Sequence, residues 1–185
     1  LDEIMGIRRA QTSDARGIAE AQVASWQAAY RALLPDDLLD TLSVSGFENR
    51  WRLRLTFEDS RQTLVYERDG RILGFVAFGP CRDEDIQALH VGEIYAIYLR
   101  PTHWRQGYGS ALMRAALQAL REGGYAQVTL WVLRNNQPAR RFYEAAGFRA
   151  DGAVKEERRD ADVQVREVRY RRPIEEERPH GQRGV

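Results

Sequence analysis

The chain has 185 residues, 43% of them hydrophobic and 30% charged, with a formal net charge of +1. That length suits one domain with one core, and the balanced charge carries no electrostatic footprint for nucleic acid. No stretch is long and apolar enough to span a membrane, and no basic-then-apolar leader stands at the start.

The single cysteine, Cys81, has no internal disulfide partner and no histidine at metal-ligating spacing. The expectation is a cytoplasmic protein that uses no metal. Residues 1–5 read as an N-terminal extension, with Met5 suited to be a start. The run from Met5, "MGIRRA", resembles a myristoylation signal but has Ala10 where Ser or Thr is required.

"GIRRAQ" reads as a short first strand. Residues 12–34 follow as a helix, with Thr12, Ser13 or Asp14 able to cap it and Ile18, Val23, Trp26 and Tyr30 recurring near helical spacing. "LPDDLLDTLS" predicts a second short helix, and "GFENRWRLRLTF" a third. The period then shortens: "QTLVYERDGRILGFVAFGP" reads as two strands joined at Asp69-Gly70. The polar "CRDEDIQALH" leads into the apolar strand "HVGEIYAIYL", expected to be covered on both faces.

"SALMRAALQALREGG" is a helix stopped by Gly123-Gly124. "YAQVTLWVL" is a further buried strand, and "NNQPARRFYEAAGF" a helix capped by Asn135 or Asn136. Residues 151–172 predict a last antiparallel pair, and residues 173–185 a flexible tail. The order describes one mixed α/β domain over residues 6–172.

Two glycines, Gly107 and Gly109, sit between the strand ending "EIYAIYL" and the helix that follows. A dinucleotide fingerprint fits poorly, because Leu112 stands at its third small position. A P-loop fails for want of its lysine. Two readings remain from the residues: a plain strand-to-helix turn, or a pyrophosphate cradle made of the unpaired N–H groups at a helix start.

The stretch from Glu93, "EIYAIYLRPTHWRQGYGSALM", and the later "NQPARRFYEAAGF" together resemble the GNAT superfamily of acetyl-CoA-dependent N-acetyltransferases. The first is similar to its Gln/Arg-x-x-Gly-x-Gly/Ala signature. The second, with Asn136, Ala139, Tyr143, Gly147 and Phe148, is similar to its Asn-x-x-Ala…Tyr-x-x-x-Gly-Phe signature. The element order agrees over residues 6–172. One departure is Trp104, which falls where the family has Gln or Arg; Arg105 beside it is able to supply charge to a phosphate, with Arg100 and Arg140 as further candidates.

The resemblance implies a mixed, mostly antiparallel central sheet flanked by helices, with two central strands splayed apart. It implies acetyl-CoA as cosubstrate, an acyltransferase activity, and acetyl transfer to a primary amine of a small molecule or peptide by direct attack through a tetrahedral intermediate. It assigns the pyrophosphate to Arg105, Gln106, Gly107, Tyr108, Gly109 and Ser110. The pantetheine arm goes to Ile97, Tyr98 and Leu99, whose strand edge pairs with its amides, and to Asn136. Tyr143 becomes the general acid for the leaving thiolate, and an N–H near Tyr98 or Leu99 the oxyanion donor.

Trp26 and Tyr30 then border the amine acceptor, with Trp131, Trp51 and Tyr95 as further aromatic walls suited to an organic cation. His90 and the acidic run at 82–85 are candidates for the mouth. Glu93 is read as the general base, acting through a water, because a carboxylate in an apolar strand is costly without purpose or partner. Its spacing to Gly107 is similar to that of the catalytic glutamate in histone-acetylating members. The competing reading of Glu93 is a strand-start residue paired with an arginine. Strand alternation puts Glu93, Tyr95, Ile97 and Leu99 on one face. A homodimer is common in the superfamily. The rival function is a non-catalytic acyl-CoA-binding sensor.

Overall fold

The computed structural model describes residues 6–57, 59–86, 90–160 and 163–174; the expectations for residues 1–5 and 175–185 lie outside them. The first strand, β1, is Ile7–Arg9, followed by α1 (Ala15–Ala29), α2 (Asp36–Asp40) and α3 (Val44–Thr56). The long helix expected over residues 12–34 is shorter at both ends. Thr12–Asp14 form a 3₁₀ turn, because the Asp14 carboxylate turns back to accept the Gln11 N–H at 2.7 Å and the Arg8 guanidinium at 2.7 and 2.8 Å. At the other end the chain leaves the helix at Tyr30. The Ser43 hydroxyl accepts the Gly46 N–H at 3.1 Å, which starts α3 two residues earlier than its apolar pattern does.

β2 (Gln62–Arg68) and β3 (Arg71–Pro80) form the expected hairpin. Asp69 and Gly70 at its tip take φ of 53° and 71°, the left-handed pair that matches strand twist. β4 (Val91–Leu99), α4 (Tyr108–Glu122), β5 (Gln127–Leu133) and α5 (Gln137–Ala145) follow, then β6 (Arg149–Asp160) and β7 (Val163–Pro173). Ile174 N–H still bonds the Ala126 carbonyl at 2.8 Å, so ordered structure continues past residue 172.

The sheet runs β1-β2-β3-β4-β5-β7-β6. Its neighbours are antiparallel except β4 and β5, which are parallel and joined through α4, the connection a parallel pair requires. On one face α4 and α5 pack over a core that includes Phe78, Ile94, Leu112, Leu130 and Phe148. On the other, α1 and α3 cover Val65, Phe75 and Ala77 through Ile18, Val23, Phe47 and Trp51. The central strands are therefore sandwiched, as their apolar runs predict. No helix among the described residues is long and apolar enough to cross a membrane.

Two irregularities coincide at the middle of β4. Ala77 pairs with Ala96 but Phe78 with Ile94, so Tyr95 is an extra residue, a β-bulge. The bulge reverses the alternation beyond it. Tyr95, Ala96 and Tyr98 pack toward α1 and α3, while Ile94, Ile97 and Leu99 pack toward α4. The expectation of one face shared by Glu93, Tyr95, Ile97 and Leu99 is corrected accordingly: an inserted residue shifts every later side chain to the other side. The ladder from β4 to β5 also stops there, running only from Val91↔Gln127 to Ile94↔Leu130. Past that point β4 stays with β3 as far as Leu99, and β5 stays with β7 as far as Leu133. The two central strands diverge, as the resemblance implies.

Candidate active site

A cavity of about 300 Å³ occupies this divergence. It runs from Asn136, Ala139 and Tyr143 at α5 through the gap to Trp26 on α1 and Tyr30 at its C-terminal cap. Ile97, Tyr98, Glu93 and Trp131 line it as well, so residues read from distant parts of the sequence meet in one space. Leu99 does not reach it. Its side chain is buried toward α4, and its carbonyl accepts the Trp104 indole N–H at 2.8 Å. Through that bond Trp104 closes the end of β4.

Asn136 is the cap of α5, its Oδ1 accepting the Ala139 N–H at 3.2 Å. Tyr143 stands two turns further on. Its ring packs on Phe142 and Phe148 at 5.4 and 6.2 Å, and no hydrogen bond to its hydroxyl is formed among the described residues. Burial pushes the phenol above the ordinary tyrosine value, and the nearby Tyr98 and Glu167 push it the same way.

Glu93 is 2% exposed. Oε2 accepts the Arg82 backbone N–H at 3.0 Å and its Nε at 3.1 Å, and Oε1 accepts Nη2 at 2.6 Å. This is the arginine pairing weighed against the base reading, and it supplies the partner that a buried carboxylate needs. The hydrogen bonds it donates to Glu93 in turn hold the Arg82 guanidinium above its ordinary value. Tyr95 donates to the Pro80 carbonyl at 2.6 Å, and burial pushes its phenol up to about 12.

On the α1 side, Trp26 stands edge-on to Tyr30 and Tyr98, at 5.5 and 6.1 Å between ring centroids. The Tyr30 and Tyr98 hydroxyls are 3.4 Å apart. Trp131 is fixed by its indole N–H, which Asp83 accepts at 2.9 and 3.1 Å. Asp83 and Asp85 also hold the buried Arg169. The acidic run is thus stapled to β7, and Arg82 is its residue in the cavity wall. Trp51 belongs instead to the α1–α3 core, where it donates to Gln22 at 2.7 Å. His90 is exposed and does not line the cavity.

The glycine turn lies beyond the open end of β4. Gly107 caps α4 with φ 86°, a left-handed conformation that glycine adopts without strain. Apart from its neighbours in the chain, no described residue comes within 4 Å of where its Cβ would stand, so the space before the helix start is open. The first turn of α4 contains no acidic residue, and its leading N–H groups have no acceptor within the helix. These features fit an anionic diphosphate. Arg105, at φ 59°, is exposed. Ser110 and Gln106 are exposed too, with Gln106 donating to the Thr102 carbonyl at 3.1 Å. The Tyr108 hydroxyl accepts from Arg68 at 3.0 Å. Arg100 and Arg140 are otherwise engaged: Arg100 bonds Glu20 and the Ile72 carbonyl, and Arg140 bonds Tyr170 and the Arg134 carbonyl.

Gly109 tests the cradle. A Cβ there would meet only the Phe142 ring, at 3.5 Å, which is ordinary contact. Gly109→Glu is therefore expected to fold normally while weakening coenzyme A binding at least about tenfold, or 1.4 kcal/mol, through repulsion at the helix start. Calorimetric titration with coenzyme A, beside a thermal melt, measures both. Unchanged affinity in a folded variant contradicts the cradle.

Among the cavity residues that the sequence does not single out are Lys155 on β6 and Glu167 on β7. The charged runs around them read as a polar outer pair, yet Glu167 is only 6% exposed. The available signal was composition: Lys155 is the chain's single lysine.

The Acetyltransferase (GNAT) family model matches residues 20–148. The uncharacterized N-acetyltransferase YuaI of Bacillus subtilis is 32% identical over 162 residues, covering 88% of this chain and 89% of that protein. An uncharacterized N-acetyltransferase of Archaeoglobus fulgidus is 32% identical over 145 residues, 78% of this chain and 93% of that one. The fold is also that of the PaiA N-acetyltransferase of Thermoplasma acidophilum, solved in complex with coenzyme A. Its TM-score is 0.70 at 19% identity, over 90% of this chain and 97% of that one. With a family model spanning most of the chain and relatives matched nearly end to end, this protein belongs to the GNAT family of acetyltransferases.

Proposed function

We propose that this chain transfers the acetyl group of acetyl-CoA to a primary amine of a small molecule or peptide by direct attack. The observation that carries the reading is the single cavity crossing the β4–β5 divergence, with Tyr143 at one end and an aromatic cluster at the other. Acetyl-CoA supplies the activated acyl group as a thioester. The N–H groups at Tyr108, Gly109 and Ser110, with Arg105 beside them, hold its diphosphate. The edge of β4 at Ile97 and Tyr98, past the end of its ladder with β5, pairs with the pantetheine amides as an added strand, next to Asn136. A backbone N–H near Tyr98 faces the carbonyl oxygen as charge develops on it.

Tyr143 delivers a proton to the departing sulfur. Burial moves its phenol upward, so the proton stays in place at neutral pH until the sulfur departs. Glu93 receives the proton of the amine through a water at Oε1, which accepts one hydrogen bond from Arg82. Trp26, Tyr30 and Trp131 border the acceptor and suit a cation. The experiment is thiol release from acetyl-CoA across a panel of amines, small amines and peptide N-termini included, with the acetylated product identified by mass. Thiol release coupled to one acetylated amine supports the reading. Tight coenzyme A binding with no acetylated product from any amine contradicts it and leaves a binding module.

A further inference from the structure

Arginine and lysine together number 28, and all but one are arginine. The exception, Lys155, lines the cavity. Its Nζ lies 4.5 Å from the centroid of the Trp131 ring and 3.2 Å from Oε2 of Glu167. Both partners are set by the sheet. Trp131 is the first β5 residue past the end of the β4 ladder, and Glu167 on β7 lies opposite both Leu133 and Lys155. Glu167 in turn is close enough to Tyr143 for its charge to act on that phenol. An arginine at residue 155 would be able to make the same ring and carboxylate contacts, but a guanidinium stays charged and is no nucleophile, whereas a lysine that gives up its proton is one.

We propose that Lys155 is a self-acetylation site, with Glu167 as the group that takes its proton; this rests on the reading of the chain as an acetyl-CoA-dependent N-acetyltransferase. The Glu167 carboxylate accepts a proton from the Lys155 ammonium. The freed Nζ forms a C–N bond to the acetyl carbonyl carbon, and the carbon–sulfur bond of the thioester breaks. The second proton on nitrogen leaves to solvent, and the sulfur departs as the thiol with the proton of Tyr143, which solvent then replaces. The product is N-acetyl-lysine and coenzyme A. The modified side chain no longer places a positive charge between Trp131 and Glu167.

The full chain incubated with acetyl-CoA and digested for mass spectrometry tests this, since residue 155 is the one lysine to follow. Acetylation at Lys155 is expected at a rate per molecule independent of protein concentration. It is expected to slow at least about tenfold in Gly109→Glu and about 10²-fold or more in Tyr143→Phe. A second readout needs no turnover: coenzyme A alone is expected to shield Lys155 from trinitrobenzenesulfonate. Equal acetylation in wild type and Gly109→Glu means uncatalysed reaction with the reagent and overturns the proposal. An unmodified Lys155 in protein that acetylates an amine of the panel overturns it too and leaves the functional reading standing. No acetylation of any amine, no modification of Lys155 and no shielding by coenzyme A overturn both.

Discussion

Tyr143→Phe is expected to lower kcat by about 10²–10⁴-fold, the contribution of the general acid proposed for Tyr143. The phenyl ring keeps the contacts with Phe142 and Phe148. Because no described residue bonds the hydroxyl, its removal strands no partner in the fold. Stability and acetyl-CoA affinity are accordingly expected to change by no more than about 1 kcal/mol. The pH dependence follows from the sign of the shift. An acid works while protonated, and burial moves this phenol upward. The wild-type rate is therefore not expected to fall through loss of the Tyr143 proton at or below the ordinary tyrosine value of about 10. Single-turnover rates and equilibrium titration on the two proteins separate the effects. A variant with wild-type turnover, where chemistry limits the rate, makes Tyr143 a packing residue.

Glu93→Gln is expected to lower kcat by about 10²-fold or more, the contribution of a general base. The competing account is structural, since Arg82 holds both carboxylate oxygens. The two accounts predict different losses. Glutamine keeps the shape and one acceptor oxygen, and the Arg82 side chain is 61% exposed, so water satisfies what the amide does not. The fold is thus expected to survive with a modest cost, while the rate falls. Arg82→Gln does the reverse: it removes the charge that faces a buried carboxylate and leaves the residue-82 backbone N–H, so its larger expected effect is on stability. Melting curves and pH–rate profiles of both variants on one acceptor decide. An unchanged rate and profile in Glu93→Gln reject the base role and leave the ion pair as the whole purpose of the residue.

Much of this architecture is legible in the sequence because its signals are local. The Asp69-Gly70 hairpin, the amphipathic α4 and the Asn136 cap each depend on residues a few positions apart. The bulge at Tyr95 does not. It arises from the register of β4 against β3, and nothing within "HVGEIYAIYL" marks where the extra residue falls. One inserted position then separates Glu93 from Ile97. The pairing partner of Glu93 was equally out of reach: Arg82 lies in a polar loop eleven positions away, and only folding brings it to the strand. Trp51 and Trp131 look alike in sequence, yet one is a core residue and the other a cavity wall, a difference set by which layer covers each strand. The arginines were the least legible, because a guanidinium suits a phosphate, a carboxylate or a carbonyl equally well.

In the proposed function the divergence of β4 and β5 is the reaction channel. The crystal structure of the protein with coenzyme A tests it most directly. The diphosphate is expected on the N–H groups at the start of α4, the pantetheine arm along the β4 edge at Ile97 and Tyr98, and the sulfur within about 3–3.5 Å of the Tyr143 hydroxyl. A cofactor bound at α4 with its arm running outside the gap, and its sulfur away from Tyr143, contradicts that claim.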